Sequence, residues 1–431
     1  MRRLFLLLCF LCSGLAQAAP PNFIVVMTDD QGYGDVGCYG SPDIRTPNLD
    51  RMAAEGLRLT SFYSSNPVCS PSRAGLLTGR YGARIGVPHV LFPWDTTGLR
   101  DDEKTIAQVL KTKGYATACI GKWHLGHLPE FLPTRHGFDY YFGLPYSNDM
   151  QPPLPKYPPL PLMRNEEIIE QPANQDTLTQ RYTDEAVKFI EEHKAGPFFV
   201  YLPHSMPHVP LHASDAFRGK SKRGLYGDVI EEVDASMGRI LDAVRANGLA
   251  ENTLVIFTSD NGPWLVKGAD GGSAGPLREG KSSVFEGGMR EPCIAWWPGH
   301  IAAGRVEDAP CMNIDLLPTL AQLAGAPLET KPLDGRDISG VLLGTGKRAD
   351  ERFYYLQGPK VMAHRDGSWK LILPGPQPLR GEGIGEQPAL FNLATDLGEQ
   401  HNVAAEHPEI VARLRQQLDD FAQGLANEPT P

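Results

Sequence analysis

The chain has 431 residues, 41% of them hydrophobic, and a formal net charge of -10. A chain of this size can bury a large core of its own, and its acidity excludes a general affinity for nucleic acid or for an anionic membrane. An anionic ligand would have to be met by positive charge gathered locally.

Residues 1–18 read as a signal peptide: Arg2 and Arg3, an apolar run over 4–11, then Ala16, Gln17 and Ala18 as an A-x-A cleavage site. The mature chain is expected to start near Ala19, in the periplasm or outside the cell, with a net charge of -12 once both arginines are gone. The apolar run is too short to cross a bilayer, so no stable membrane insertion is expected. Cys9 and Cys12 leave with the signal; Cys38, Cys69, Cys119, Cys293 and Cys311 remain. An odd number leaves at least one thiol unpaired, and the pairing of the others stays open.

The run FIVVMT at 23–28 reads as a strand buried on both faces and ends in Asp29 and Asp30. The next segment, DDQGYGDVGCYG, contains a formal G-x-G-x-x-G. Its three aspartates would repel a pyrophosphate, and Ser41-Pro42 stands where a helix should begin, so a dinucleotide site is set aside. CSPSRAGLLTGR at 69–80 reads as a loop entering a helix, with Pro71 in the first turn and Cys69 near the positive helix end. A reactive thiolate is the simple reading there. It conflicts with the hard oxygen donors of Asp29 and Asp30 and with an oxidising compartment.

Further buried strands are expected at 116–120, 198–202, 254–258 and 293–297. The first precedes GKWHLG, which sets Lys122 and His124 on one side of an extended segment. A loop with seven prolines fills 145–162 and carries Ser147. The second strand precedes His204 and His208. A helix is expected over 226–247, with Val229, Val233, Met237, Ile240 and Val244 on one face and Gly248 as its stop. The third precedes Asp260 and Asn261, and GKSS adds Lys281.

Strands alternating with helices predict an α/β fold with a mostly parallel sheet flanked by helices. After about residue 345 the pattern changes to strands of a smaller antiparallel sheet and a terminal helix over 409–421. The expected division is a catalytic domain over 19–345 and a C-terminal subdomain over 346–431. Ligands of open α/β sheets bind beyond the carboxyl ends of the strands. Two strand-end pairs of oxygen donors there make calcium or magnesium plausible, and two lysines with histidines look like an anion clamp with a proton donor.

The pattern C-x-P-x-R followed by A-x-L-x-T-G-R resembles the signature of type I sulfatases, the formylglycine-dependent family. DDQGYGDVGCYG, GKWHLG, SDNG, LREGKSSVFEGGMREP and LFNLATDLGEQHNVA resemble family segments in the same order, so the resemblance covers about the whole mature chain. It implies an alkaline phosphatase-like fold and conversion of Cys69 to formylglycine by a maturation enzyme. Asp29, Asp30, Asp260, Asn261 and residue 69 would bind Ca²⁺, and Arg73 would hold the hydrated aldehyde. Lys122, Lys281 and His208 would hold the sulfate; His208 is preferred to His204 because the family pattern is H-x-P. His124 matches the histidine that contacts the hydrate, and Ser147 resembles a sulfate-contacting serine of the arylsulfatase A group.

The implied reaction is hydrolysis of sulfate monoesters of phenols or carbohydrates. One hydroxyl of the hydrate, activated by Asp260, would attack sulfur while His208 or Lys281 protonates the leaving oxygen. Deprotonation of the other hydroxyl, with His124 as candidate base, would expel sulfate and restore the aldehyde. Two rivals remain at this stage: a phosphodiesterase or phosphonate hydrolase of the same superfamily, and a calcium-dependent binder of sulfated glycans that never turns over.

Overall fold

The structure, a computed structural model, describes residues 19–328, 331–375 and 383–427. The expected signal peptide lies outside the described residues. Among them an eleven-stranded main sheet forms. Its strands are β1 (Asn22–Thr28), β2 (Leu57–Tyr63), β3 (Ala116–Ile120), β4 (Tyr140–Gly143), β5 (Leu162–Arg164), β6 (Glu167–Glu170), β7 (Phe198–Pro203), β8 (Thr253–Ser259), β9 (Arg290–Trp296), β10 (Arg305–Glu307) and β11 (Cys311–Met312). The spatial order is β10-β2-β9-β8-β1-β7-β3-β4-β5-β6, with β11 also on β2.

The central pairings β8-β1-β7-β3-β4 are all parallel, as the alternation of strands and helices predicts. The run at 293–297 does form a strand, β9, but it pairs antiparallel with both β8 and β2. A continuous apolar run reports burial on both faces and carries no direction. Strand β2, with Arg58 and Thr60 interrupting its apolar residues, was not among the expected strands.

Period-two alternation sorts β1 onto two cores. Ile24 and Val26 face one layer with Leu49 and Met52 of α1 (Pro47–Glu55) and Val229, Val233 and Met237 of a long helix (Gly224–Ala246). Phe23, Val25 and Met27 face the other with Leu76 and Leu77 of α2 (Cys69–Thr78). The long helix matches the predicted span, and Gly248 after it adopts a φ of +68° that a side chain would resist.

Four strands form the separate antiparallel sheet: β12 (Arg352–Gln357), β13 (Lys360–Asp366), β14 (Trp369–Ile372) and β15 (Ala389–Asn392). The terminal helix Pro408–Ala426 covers it, running five residues past its expected end. Fully buried charges join this unit to the main sheet: Lys370 of β14 lies 2.9 Å from Glu286 and 2.8 Å from Glu399. Removing Lys370 leaves the buried Glu399 carboxylate without the cation that faces it and Glu286 with Arg290 at 3.4 Å. Lys370→Ala is therefore expected to cost about 3–5 kcal/mol in urea unfolding. A cost under about 1 kcal/mol, the scale of an exposed pair, would show that water reaches the cluster.

All five described cysteines are unpaired, and all but Cys38 are buried. Among the described residues, no helix is long and apolar enough to cross a membrane.

Candidate active site

Adjacent parallel strands β3, β7, β1 and β8 release their chains at one edge, and their registry decides which side chains meet. Thr28 stands opposite Ser259, so Asp29 and Asp30 emerge beside Asp260 and Asn261. The Asp260 amide donates to the Thr28 carbonyl at 3.1 Å, the Asp30 amide to Asp260 Oδ1 at 3.2 Å, and Asn261 Nδ2 to Asp30 Oδ1 at 2.7 Å. On the other flank the Lys122 amide donates to the Pro203 carbonyl at 2.7 Å. That approach needs glycine at position 121: a Cβ there would stand 1.9 Å from the Pro203 oxygen.

Cys69 is the first residue of α2, as the loop-to-helix reading expects, and Arg73 follows one turn later on the same face. The Arg73 guanidinium sits 2.8 Å from Asp260 and 3.5 Å from Asp29, and donates to the Lys122 carbonyl at 2.9 Å. Lys122 Nζ reaches Asp29 Oδ2 at 2.5 Å and Ser147 Oγ at 3.0 Å, which brings the serine of the proline-rich loop into the cluster. Lys281 Nζ lies 2.7 Å from Asp30 and 3.6 Å from Cys69 Sγ. Three carboxylates thus face three cations, all of them nearly closed off from solvent.

The two histidines after β7 part company. His204 points into the core, with Ser236 Oγ at 3.4 Å and the Tyr182 ring beside it. His208 turns to the site, its Nε2 3.6 Å from Asp30 Oδ2. A carbonyl can only accept, so His208 Nδ1, 2.6 Å from the Val209 oxygen, carries the proton and leaves Nε2 as the atom facing the cluster. The same logic applies to His124. Its Nε2 donates to the Leu91 carbonyl at 2.9 Å, so the buried Nδ1, without a partner among the described residues, holds the lone pair.

Burial pushes the Cys69 thiol up to about 12, against the pull of Lys122 and Lys281. Burial thus works against a thiolate here, in the same direction as the conflict with the hard oxygen donors of Asp29 and Asp30. Burial also opposes ionisation of Asp29, but Lys122 and then Arg73 hold its carboxyl well below the usual range. Asp260 moves the other way, raised by burial and by the charge of Asp29. Burial, then Lys122, keeps His124 well below its ordinary value, and burial with Lys281 lowers His208.

Ligand atoms of Asp29, Asp30, Cys69 and His208 all lie within 4.8 Å of one another. Asp29 Oδ1 and Asn261 Oδ1 are buried acceptors with no hydrogen-bond donor among the described residues. Oxygen atoms left this way in a dry pocket fit a hard divalent cation. Asp30 and His124 both hold positive φ values, +64° and +60°, a conformation L-residues rarely adopt and one that gathers at functional sites.

Some of the surroundings escaped sequence reasoning. Ser72 Oγ donates to the Asp260 carbonyl at 2.5 Å and itself accepts from Asn313 Nδ2 at 2.9 Å, which fixes the β8 end. Asn313 lies far along the chain and carries no local signal. Trp264 sits under Lys281, whose Nζ is 4.6 Å from the ring centroid, with the His208 ring 5.4 Å away. Its place three residues after Asn261 was the only clue.

The sulfatase family model matches residues 21–326. Human arylsulfatase A is 42% identical over 453 residues, covering 95% of this chain and 89% of its own. The N-acetylgalactosamine-6-sulfatase of Canis lupus familiaris is 44% identical over 395 residues, covering 85% and 74%. Among solved structures, Ps i-CgsB in complex with k-i-k-neocarrahexaose superposes with a TM-score of 0.83 at 32% identity, covering 95% of this chain and 94% of that one. The matched region runs through every strand end that supplies the cluster around Cys69, and on that footing the chain belongs to the sulfatase family, the sulfuric ester hydrolases.

Proposed function

We propose that this protein hydrolyses sulfate monoesters of phenols or carbohydrates at the cluster around residue 69, with Cys69 converted to formylglycine and Ca²⁺ as the metal. The observation that carries this reading is the meeting of Cys69, three carboxylates, Asn261 and two lysines in one buried pocket at the sheet edge. Residues 19–345 carry the reaction, and 346–431 make up a C-terminal subdomain whose described residues pack on it.

Asp29, Asp30, Asp260 and Asn261, with residue 69, are the residues that would hold Ca²⁺, which when bound supplies fixed positive charge for developing oxygen charge. Formylglycine supplies, as its hydrate, an oxygen nucleophile that suits hard-cation ligands where a thiol does not. The remaining work falls to the chain's own side chains. Lys122 Nζ and Lys281 Nζ approach the pocket from opposite flanks and bind sulfate oxygens, with Ser147 Oγ beside Lys122. Arg73 orients Asp260 and residue 69 from beneath. Lys281 Nζ, or His208 Nε2 once that ring has taken up a second proton, protonates the departing alcohol or phenol oxygen, and His124 Nδ1 accepts a proton from residue 69.

The substrates named for the relatives favour an aryl or galactosamine-type sulfate, the signal-like segment favours export, and the conversion of Cys69 calls for a formylglycine-generating enzyme as partner. An aryl sulfate and an aryl phosphodiester, assayed side by side, test the reaction class; faster phosphodiester cleavage would overturn it. Dialysis against EGTA is expected to abolish aryl sulfate hydrolysis, and Ca²⁺ to restore it. Full activity after EGTA, with metal analysis showing none left, would contradict the metal assignment.

A further inference from the structure

Trp94 is 52% exposed, although large aromatic rings usually hide. Its indole stacks on Phe92 with ring centroids 4.8 Å apart and planes 8° from parallel, and Tyr157 packs against it at 5.1 Å. With Phe92 stacked on it and Tyr157 of another loop packed beside it, the ring is fixed in place yet about half exposed to solvent, a preformed platform.

Both loops are anchored at the active site. The chain entering Phe92 is pinned at Leu91, whose amide donates to Ser70 Oγ at 3.1 Å, next to residue 69, and whose carbonyl accepts from His124. Three residues of extended chain, about 10 Å at most, separate Leu91 from Trp94. Tyr157 belongs to the proline-rich loop that begins by placing Ser147 on Lys122. Nearer residue 69, the segment that leads into Leu91 walls a cavity of about 260 Å³ lined by Val68, His89 and Gln357, the last contributed by the C-terminal sheet.

We infer that Trp94 is a carbohydrate-stacking subsite, taking the sugar ring next to the sulfated one in a galactose-based sulfated oligosaccharide. The inference rests on the sulfate-ester reading above. Galactose presents one continuous C–H face because its axial hydroxyl projects from the other side, and such a face lies flat on an indole. An apolar ring rimmed by polar loop residues, next to a charged pocket, suits a ligand that is an anion at one end and a sugar at the other.

Binding measured in an unreactive Cys69→Ala background separates this inference from the reaction itself. A galactobiose carrying a 6-sulfate on its non-reducing ring and galactose 6-sulfate are titrated by calorimetry against Cys69→Ala alone and with Trp94→Ala or Trp94→Phe added. Trp94→Ala is expected to weaken disaccharide binding by about three- to tenfold, the scale of one aromatic contact, and to leave the monosaccharide Kd unchanged. Trp94→Phe is expected to recover most of the loss. No disaccharide binding by the Cys69→Ala protein, an unchanged disaccharide Kd, or an equal loss for both ligands overturns the platform. Failure of the unsubstituted enzyme to release sulfate from any ester would instead overturn the proposed reaction.

Discussion

Cys69→Ser is expected to lower kcat for aryl sulfate hydrolysis by about 10⁵–10⁶-fold, the scale of removing a catalytic nucleophile, while leaving the fold intact. The substitution is nearly isosteric at a buried position at the start of α2, so thermal unfolding should barely move. A serine hydroxyl could accept a sulfate group but has no second oxygen on the same carbon with which to expel it. The variant should therefore stop after one turnover, with a sulfated residue 69 visible by mass. Multiple turnovers within tenfold of the unsubstituted rate would mean that residue 69 is not the nucleophile.

The second large effect concerns the lysines. Lys281→Ala and Lys122→Ala are each expected to lower kcat/KM by about 10²–10³-fold, as for loss of one preorganised donor to a developing charge. Lys281 stands between Asp30, Cys69 and the Trp264 ring, and Lys122 between Asp29 and Ser147. Lys122 is wholly buried, so its loss also leaves Asp29 without its nearest cation and should destabilise the protein by about 3–5 kcal/mol. Assay well below the unfolding midpoint separates the two consequences. A change under threefold in both variants would mean that the sulfate binds elsewhere.

Much of this site can be read from local sequence because parallel strands deliver their carboxyl ends to one edge. An apolar run followed by Asp29-Asp30, or by Asp260-Asn261, sets those residues at a strand end, and the alternation of strands with helices sets the two ends on one edge. The same rule failed for 293–297, where an apolar run of the same kind proved antiparallel. The preference for His208 over His204 came from the family pattern, and the structure gives it a physical form: one ring faces the core, the other Asp30. Contacts made by distant chain were not legible. Neither Asn313 on Ser72 nor the Glu286–Lys370–Glu399 cluster leaves a periodicity or spacing to find, because each depends on how whole elements dock. Trp94 was equally silent, since an exposed aromatic gains meaning only beside its neighbours.

The most direct test of the central claim is the mass of the tryptic peptide spanning residues 59–73, from protein made in a host with a formylglycine-generating enzyme and shown to hydrolyse an aryl sulfate. The expected peptide is lighter by the exchange of thiol for aldehyde and resists alkylation. A fully active preparation whose residue 69 is an unmodified, alkylatable cysteine would contradict it.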